Sequence, residues 1–261
     1  MNKQQDQTRL TALGVRGSMP ISRPDAWEFG GATSCYRIDR GENTLFLDAG
    51  TGLMNAEALP SGPIHILLTH LHADHILGLP LFSAMFQKDR EIHLYGGETE
   101  LESELNRLIS PPLWPVTLGQ YPARTVFHTL SFPCTIGSFS ISAMKSCHPG
   151  GSLIYWISDG EKSIVYATDF EHAENKLEEL AAFSAGADLM LYDAQYTQEQ
   201  YQTKRGFGHS TAEAGLWVQR ESGAKQILMI HHDPAASDEA LRKREGQTRA
   251  PYARQGEVIL L

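Results

Sequence analysis

The sequence of this 261-residue chain predicts an α/β (α+β) protein. Apolar runs of the length typical of buried strands recur along it, and the clearest, Ile64 to Leu68, follows a proline and precedes a polar cluster. The alternating segment Phe139 to Met144 predicts another strand, and apolar residues at helical spacing predict a helix from Glu98 to Ile109. Because α/β folds of this length often form one domain, we expect a single domain over residues 1–261.

Further elements are expected along the rest of the chain. Segments with helical composition lie near Asn175 to Ser184 and from Ser210 to Gly223, where Ser210 and Glu213 have the spacing of a capping box. Asp159-Gly160 predicts a hairpin turn. The remaining predicted strands are Thr8 to Val15, Tyr36 to Asp39, Thr44 to Leu47, Glu91 to Tyr95, Leu153 to Ile157, Ser163 to Ala167, Leu189 to Tyr192, Gln226 to Ile230 and an edge strand, Glu257 to Leu261.

Composition and charge narrow the function classes. A hydrophobic content of 41% and a charged content of 20% suit a globular protein with a core. The net charge of −9 argues against a general affinity for nucleic acid. The polar N-terminus lacks the apolar part of a signal peptide and no apolar run reaches membrane-spanning length, so we expect a cytoplasmic protein without a membrane partner. Cys35, Cys134 and Cys147 are too few and too widely spaced for a disulfide framework.

A cluster of histidines follows the strand Ile64 to Leu68 directly. His70 and His72 alternate at period two, so both point the same way from the strand end. Asp74 and His75 open a turn or helix, which lets them approach the same point from another direction. Neutral imidazoles and a carboxylate that converge on one point suit zinc or a similar divalent ion. A turn capped by Asp74 would explain the aspartate alone.

Other titratable residues stand at the ends of predicted strands. His148 occupies the place of a further histidine ligand, and Asp169, Asp193 and His231 follow later strands. Asp193, together with Tyr196, is expected to support the site. Such clustering of histidine and carboxylate at strand ends is typical of a metal centre.

Several residues allow two interpretations. Asp48 either orients a metal-bound histidine or caps a turn. His209 precedes a helix and is either a polar neighbour of the cap or an acid directed at the metals. Trp114, in the proline-rich segment 111–116, is either a pocket wall or a core residue. Cys147 faces away from His148 and is interpreted as a core thiol.

The motif His70-x-His72-x-Asp74-His75 after a hydrophobic strand resembles the signature of the metallo-β-lactamase superfamily of hydrolases. The segment from His209 through His231 is similar to the last two motifs of the branch that contains ribonuclease Z and related phosphodiesterases, including their separation. Arg16-Gly17-Ser18, with the motifs around His148 and His231, also resembles a bacterial group described as cyclic-nucleotide-phosphodiesterase-like. The resemblance covers nearly the whole chain.

The resemblance implies a four-layer αββα sandwich, in which two mixed sheets are flanked by helices and the metals lie at one edge. It implies two divalent ions, with zinc favoured and manganese or iron as alternatives. His232 would be a neighbour of the site, Asp74 would double as general base, and His209 would protonate the leaving oxygen or neutralise charge. The implied ligands are His70, His72 and His148 for one ion, Asp74, His75 and His231 for the other, and Asp169 as the bridge.

The function implied by the resemblance is hydrolysis of a small phosphodiester, such as a cyclic nucleotide, by a hydroxide held between the metals. Ribonuclease Z carries an inserted arm that grips tRNA, and no such arm is expected between His148 and His209, so tRNA 3′ processing is the alternative. A lactonase or thioesterase of the same fold, or a sensor module without catalysis, are further alternatives. The sequence leaves a homodimer open.

Overall fold

Two mixed β-sheets form the centre of the structure, a computed structural model that describes residues 7–97, 100–173 and 175–261. The first sheet contains β1 (Arg9–Gly14), β2 (Cys35–Arg40), β3 (Asn43–Leu47), β4 (Ile64–Leu67), β5 (Glu91–Gly96) and β6 (Arg124–Thr129). The second contains β7 (Cys134–Ile136), β8 (Phe139–Lys145), β9 (Leu153–Ser158), β10 (Ser163–Ala167), β11 (Leu189–Asp193) and β12 (Gln226–Ile230). The last strand, β13 (Val258–Leu260), joins the first sheet beside β1 and is its edge, as predicted.

Each sheet combines an antiparallel part with a parallel part. In the first sheet β3 to β6 are parallel neighbours, while β1, β2 and β13 pair antiparallel. In the second sheet β10, β11 and β12 are parallel, while β7 to β10 pair antiparallel. Because parallel strands end at the same edge of a sheet, the loops that follow them come together there.

Helices cover the outer face of each sheet. The α-helices within the described residues are α1 (Ala73–Ile76), α2 (Leu101–Leu108), α3 (Lys176–Phe183), α4 (Gln198–Thr203), α5 (Ala212–Ser222) and α6 (Asp238–Thr248), and short 3-10 helices lie in the connections. Leu101 and Leu105 of α2 pack with Ile66 of β4, whereas the next residue, Leu67, belongs to the apolar cluster between the sheets. Val218 of α5 belongs to a third cluster with the outer face of the second sheet. This alternation confirms the αββα sandwich, because successive strand residues face opposite layers.

Most predicted strands agree with the structure to within one residue at each end. Asp159-Gly160 does form the hairpin between β9 and β10, with Gly160 at a φ of +93°. The helix predicted from Glu98 begins at Leu101 among the described residues, while Glu98 itself lies outside them. The three cysteines are free. None of the described helices is long and apolar enough to cross a membrane. A single domain over 1–261 stays a prediction.

The predicted capping box at Ser210 and Glu213 is wrong. The N-cap is Thr211, whose Oγ1 accepts a hydrogen bond from the backbone N–H of Ala214. The Ser210 hydroxyl lies instead 2.7 Å from the phenolic oxygen of Tyr192 on β11. This tertiary contact removes Ser210 from the competition for the cap, so the helix begins at Ala212.

Candidate metal centre

Histidines and aspartates converge where strands of both sheets end. Asp48 follows β3, Asp169 follows β10 and His231 follows β12, and all three adopt positive φ, at 59°, 50° and 61°. This left-handed conformation is uncommon outside glycine and is most accessible to Asn, Asp and His. Holding it costs of order 1–3 kcal/mol per residue, which is typical of functional sites.

The first group of candidate ligands is His70, His72 and His148, whose ligand atoms lie within 4.8 Å of one another. Nε2 of His148 is 3.1 Å from Nδ1 of His72. The ring centroid of His70 is 4.5 Å from that of His72 and 5.0 Å from that of His148. Three imidazoles from two sheets therefore face one point, which suits a zinc-type ion.

The second group is Asp74, His75, Asp169 and His231, all buried and also within 4.8 Å. Oδ2 of Asp169 lies 3.0 Å from Nε2 of His75 and 3.2 Å from Nε2 of His231. Nε2 of His231 is also 3.2 Å from Oδ2 of Asp74. Two carboxylates and two imidazoles thus share one buried site.

Asp169 links the two groups through its two carboxylate oxygens. Its Oδ2 faces the second group, while its Oδ1 lies 3.8 Å from Nε2 of His70 and 3.6 Å from Nε2 of His148. A carboxylate placed in this way can contribute one oxygen to each of two neighbouring cations.

The residues fit divalent ions. Within the described residues, Nε2 of His70 and Nε2 of His75 are buried and have no well-aligned hydrogen-bond partner, although Oδ2 of Asp169 lies 3.0 Å from the second. Such orphaned nitrogens are costly unless they bind an ion. The donors are nitrogen and oxygen without sulfur, a set that suits zinc and also admits manganese or iron. Both candidate groups therefore pass a chemical test for a metal centre.

The electrostatics of the two groups differ. Burial lowers the pKa of His70 well below its usual value and also lowers the pKa of His148, so these imidazoles are neutral and free to ligate. Burial also opposes charge on His231, but Asp169 and the hydrogen bond with Asp74 outweigh it and raise the pKa of His231 to about 9. His231, His75 and His70 hold the pKa of Asp169 well below normal against the effect of burial, so the site carries negative charge available to a cation.

Hydrogen bonds fix the ring orientation of the candidate ligands. Nδ1 of His75 donates to Oδ2 of Asp48 at 2.7 Å, which leaves Nε2 for an ion. Asp48 also accepts from the hydroxyl of Tyr166 at 2.8 Å and from the N–H of Thr69 at 2.8 Å. Because the Thr69 hydroxyl donates to Asp48, its oxygen accepts from Nδ1 of His70 at 3.0 Å. The structure thus gives Asp48 the position of a supporting residue.

His209 lies beside both groups. Its Nδ1 donates to Oδ2 of Asp193 at 2.9 Å and is 3.9 Å from Oδ1 of Asp169. The His209 ring centroid is 4.9 Å from that of His231, and the Tyr196 ring packs edge-on against it at 5.5 Å. A ring nitrogen of His209 also lies within 4.8 Å of ligand atoms in two further groups. One group is formed with His148 and Asp169, and the other with Asp193 and His231.

The structure does not bring Trp114 or His232 into the cluster. Nε1 of Trp114 donates to the hydroxyl of Tyr121 at 2.8 Å, and the indole packs against the apolar cluster under α2. Nε2 of His232 donates to the carbonyl of Ala253 at 2.8 Å, and burial lowers the pKa of His232 to about 3, so the ring stays neutral. Among the described residues no side-chain contact joins Trp114 to the cluster, which favours the core interpretation of Trp114. His232 remains a chain neighbour of His231, with its ring bonded to Ala253.

Two contacts from the loop after β1 were missed. The N–H of Ser18 donates to Oδ2 of Asp74 at 2.7 Å. A Cβ at Gly17 would lie 2.2 Å from Nδ1 of His231, so only glycine permits this approach. The glycine and proline content of the loop was visible in the sequence, but its contact with Asp74 spans 56 positions and has no local signal.

An open cavity adjoins the first group of ligands and has a volume of about 270 Å³. It is lined by His70, Leu71, His72, Glu100, Glu104, Gly150 and Gly151. A larger cavity of about 500 Å³ lies near the β2–β3 turn, but it contains none of the candidate ligands among the described residues. Of these two cavities, only the smaller one is lined by candidate ligands.

A two-sheet sandwich with histidines and aspartates at its strand ends defines a class of metal-dependent hydrolases. Residues 10–232 match the family model described as Beta-lactamase superfamily domain, so the chain belongs to that superfamily. The family and the site together make the chain a metallo-hydrolase.

The relatives agree with this assignment. The chain is 26% identical over 251 residues to the probable metallo-hydrolase YhfI of Bacillus subtilis, with 90% of this chain and 91% of the relative covered. The crystal structure of that protein matches with a TM-score of 0.74 and 22% identity, over 98% of this chain and 100% of the other. Ribonuclease Z of Ignicoccus hospitalis is 26% identical, with 83% and 84% covered. A diphosphatase from the PhnP family matches in structure with a TM-score of 0.72 and 18% identity, over 98% and 97%.

Proposed function

We propose that the chain is a dinuclear metal-dependent phosphodiesterase that acts on a small phosphodiester, of which a cyclic nucleotide is one candidate. The observation that carries this proposal is the position of His209, whose Nδ1 is held by Asp193 at 2.9 Å beside a cluster that suits two cations. A phosphodiester gains negative charge on its phosphoryl oxygens during hydrolysis, and a third donor next to two metals can neutralise it.

The proposed ligands follow from the two groups of side chains. His70, His72 and His148 would hold one ion, Asp74, His75 and His231 the other, and Asp169 would bridge them. Two divalent ions bound there would supply Lewis-acid charge to the phosphoryl group. Zinc is the proposed metal on the nature of the donors, with manganese or iron as alternatives.

The side chains of the protein would handle the protons. Asp74 is the proposed general base, and the N–H of Ser18 fixes its Oδ2 in place. His209 donates from Nδ1 to Asp193, and in the doubly protonated ring Nε2 also carries a proton, which it would give to the leaving oxygen or use to stabilise the charge on that oxygen. Tyr196 packs against the same ring and would restrict its rotation.

A small substrate fits the cavity better than a nucleic acid does. Two of the residues that line the cavity are glutamates, and no lysine or arginine is among the described residues that line it. Glu100 and Glu104 would repel a polyanion at close range, where salt screens least. Between His148 and His209 the described residues form β9, β10, α3, β11 and α4 without a long insertion. These observations support a small phosphodiester.

The tRNA 3′-processing alternative rests on the similarity to Ribonuclease Z of Ignicoccus hospitalis. It would require binding of a long polyanion beside an acidic cavity wall. A lactonase, a thioesterase or a sensor without catalysis would share the fold. Neither the cavity beside the candidate ligands nor the contacts of His209 favour these functions over phosphodiester hydrolysis.

The test is a hydrolysis assay with zinc-loaded and manganese-loaded protein. The substrates are bis(p-nitrophenyl) phosphate, cyclic nucleotides, a precursor tRNA, a lactone and a thioester. Asp74→Ala should abolish turnover, whereas Asp25→Ala, a change of an exposed aspartate, should leave it unaltered. Turnover of the lactone or thioester with all phosphodiesters untouched would disprove the proposal, and cleavage of tRNA alone would favour the alternative.

A further inference from the structure

The carboxylate of Glu171 is buried and bound to a loop that lies beside the candidate metal centre. Glu171 lies two residues after Asp169 and is only 8% exposed. Its Oε1 accepts from the N–H of Gly206 at 2.7 Å, and its Oε2 accepts from the N–H of Gly208 at 2.9 Å. The hydroxyl of Tyr201 adds a longer contact to Oε1, at 3.4 Å. A buried carboxylate is stable only with such partners.

The loop that Glu171 holds, residues 204–208, packs against a proposed ligand. The carbonyl of Gly208 accepts from Nδ1 of His148 at 3.0 Å, so this hydrogen bond directs Nε2 of His148 into the cluster. A Cβ at Gly208 would lie 2.1 Å from Nδ1 of His148 and 2.5 Å from Cδ of Pro149. Gly208 also has a φ of +87°, so both the space and the backbone require glycine here.

The same loop delivers His209, which follows Gly208 directly. Its other residues contribute little to a core, because Arg205, Gly206 and Phe207 are exposed. The backbone of Glu171 adds a further link, since its N–H donates to the carbonyl of Cys147 at 2.9 Å, next to His148. One side chain therefore ties the segments that carry Asp169, His148 and His209.

We infer that Glu171 is a positioning residue that sets the orientation of His148, and the placement of His209, through the loop 204–208. The inference rests on the proposed function in so far as His148 is taken as a metal ligand. Within the part of the chain that the structure describes, the hydrogen bonds of the Glu171 side chain go to Tyr201, Gly206 and Gly208 and not to the candidate ligands. Its role is to accept the N–H groups of the loop in the one arrangement that aims Gly208 at His148.

Glu171→Gln tests this directly, because the amide keeps the size of the side chain but replaces one acceptor oxygen with a donor. That NH₂ group would face a backbone N–H, so the loop loses at least one of its hydrogen bonds. Asp188→Asn is the matched control, because Oδ2 of Asp188 also accepts a backbone N–H, that of Ser163 at 2.9 Å. Asp188 precedes β11, so it lies at the opposite end of that strand from Asp193.

The first measurement is zinc binding by the full chain, titrated against a chromophoric chelator. We expect Glu171→Gln to weaken one of the two zinc equivalents about 10- to 100-fold, as is usual when support of a ligating histidine is lost, with the other equivalent unaltered. Asp188→Asn should bind both as the wild type does. An equal loss of zinc affinity in Asp188→Asn, or unaltered zinc binding in Glu171→Gln, would overturn this inference and leave the proposed metal centre standing. A wild-type chain that binds neither zinc nor manganese in this titration would overturn the proposed centre as well.

The second measurement is limited trypsin cleavage of the folded protein, which needs no metal. Lys204 and Arg205 are trypsin sites within the loop. We expect Glu171→Gln to accelerate cleavage there at least fivefold, which is of the order of losing about 1 kcal/mol of hydrogen bonding that keeps the loop closed. Cleavage at the wild-type rate would contradict the inference.

Discussion

Oδ2 of Asp193 lies 2.9 Å from Nδ1 of His209, and both side chains are buried. Asp193 ends β11 and His209 precedes α5, so the pair joins a strand end to a helix start across 16 positions. A carboxylate in this place fixes which ring nitrogen carries the proton and which is available to a substrate.

Asp193→Asn should therefore lower catalysis while the metals stay bound. The uncharged amide of asparagine no longer stabilises the doubly protonated ring, the form in which Nδ1 donates to residue 193 and Nε2 also carries a proton, so Nε2 less often has a proton to donate. We expect kcat for bis(p-nitrophenyl) phosphate to fall about 10²- to 10⁴-fold, with a smaller change in KM. His209→Asn should give a similar loss, whereas His128→Asn, in β6 and outside all the groupings of candidate ligands, should keep wild-type kinetics. Wild-type kcat in both His209→Asn and Asp193→Asn would contradict a proton role for this pair.

Asp48→Asn should weaken metal binding at the second group. Nδ1 of His75 loses its carboxylate acceptor, so the ring is less firmly oriented and its Nε2 is a weaker donor to an ion. We expect zinc affinity to fall about 10- to 100-fold, measured by competition with a chelator. The control is Asp39→Asn, which removes a carboxylate from β2 that pairs with Arg37. An equal loss in both variants would mean that the effect is not specific to His75.

Glu104→Lys should improve hydrolysis of polyanionic substrates. The change replaces a negative charge in the wall of the cavity with a positive one. We expect kcat/KM for a short oligonucleotide to rise about two- to tenfold at low salt, and the gain to shrink above about 0.15 M salt because of screening. Glu221→Lys on α5 has the same change in net charge at a remote site and should show no such gain. An equal gain in both variants would show that only total charge matters.

Asp188 should make the stability of the protein depend on pH. Burial would raise the pKa of Asp188, but the hydrogen bonds from Lys225 and Ser163 outweigh it and lower that pKa. The stabilisation is therefore fully present above the unfolded-state pKa of about 3.9 and is lost as the pH falls through the lower folded-state pKa. Asp188→Asn should lower the Tm by about 2–4 °C at pH 7, as a loss of about 1 kcal/mol does in a chain of this size. The difference should shrink below about pH 4 in calorimetric scans, and a constant difference down to pH 2 would contradict this account.

The site could be predicted where its signals are local. His70, His72, Asp74 and His75 are adjacent in the chain, and the strand before them fixes their direction, so spacing alone indicated convergence. The two-sheet fold followed from the resemblance of these motifs to a family. The structure confirmed that fold.

Other features depend on contacts that no local pattern encodes. Glu171 meets Gly206 across 35 positions, and in the sequence it is one glutamate among many polar residues. The helix α6 was not predicted because only Leu241 is buried among its described residues, which leaves too little apolar periodicity. Ser210 was assigned to a cap because its spacing fits, but Tyr192 engages its hydroxyl. Tertiary partners decided the cases of Glu171 and Ser210, and the lack of an apolar face decided that of α6.

The left-handed backbone at Asp169 and His231 limits which amino acids could replace these two residues in a functional variant. The conformation excludes most residues with bulky or branched side chains, and the cluster excludes any residue that cannot present nitrogen or oxygen. Glycine meets the first demand and fails the second, while glutamate meets the second at a conformational cost. His72, at a φ of −65°, is free of the backbone constraint. Redesign of the metal preference by directed evolution would therefore find a wide choice of substitutions at His72, while Asp169 and His231 would exchange only among Asn, Asp and His.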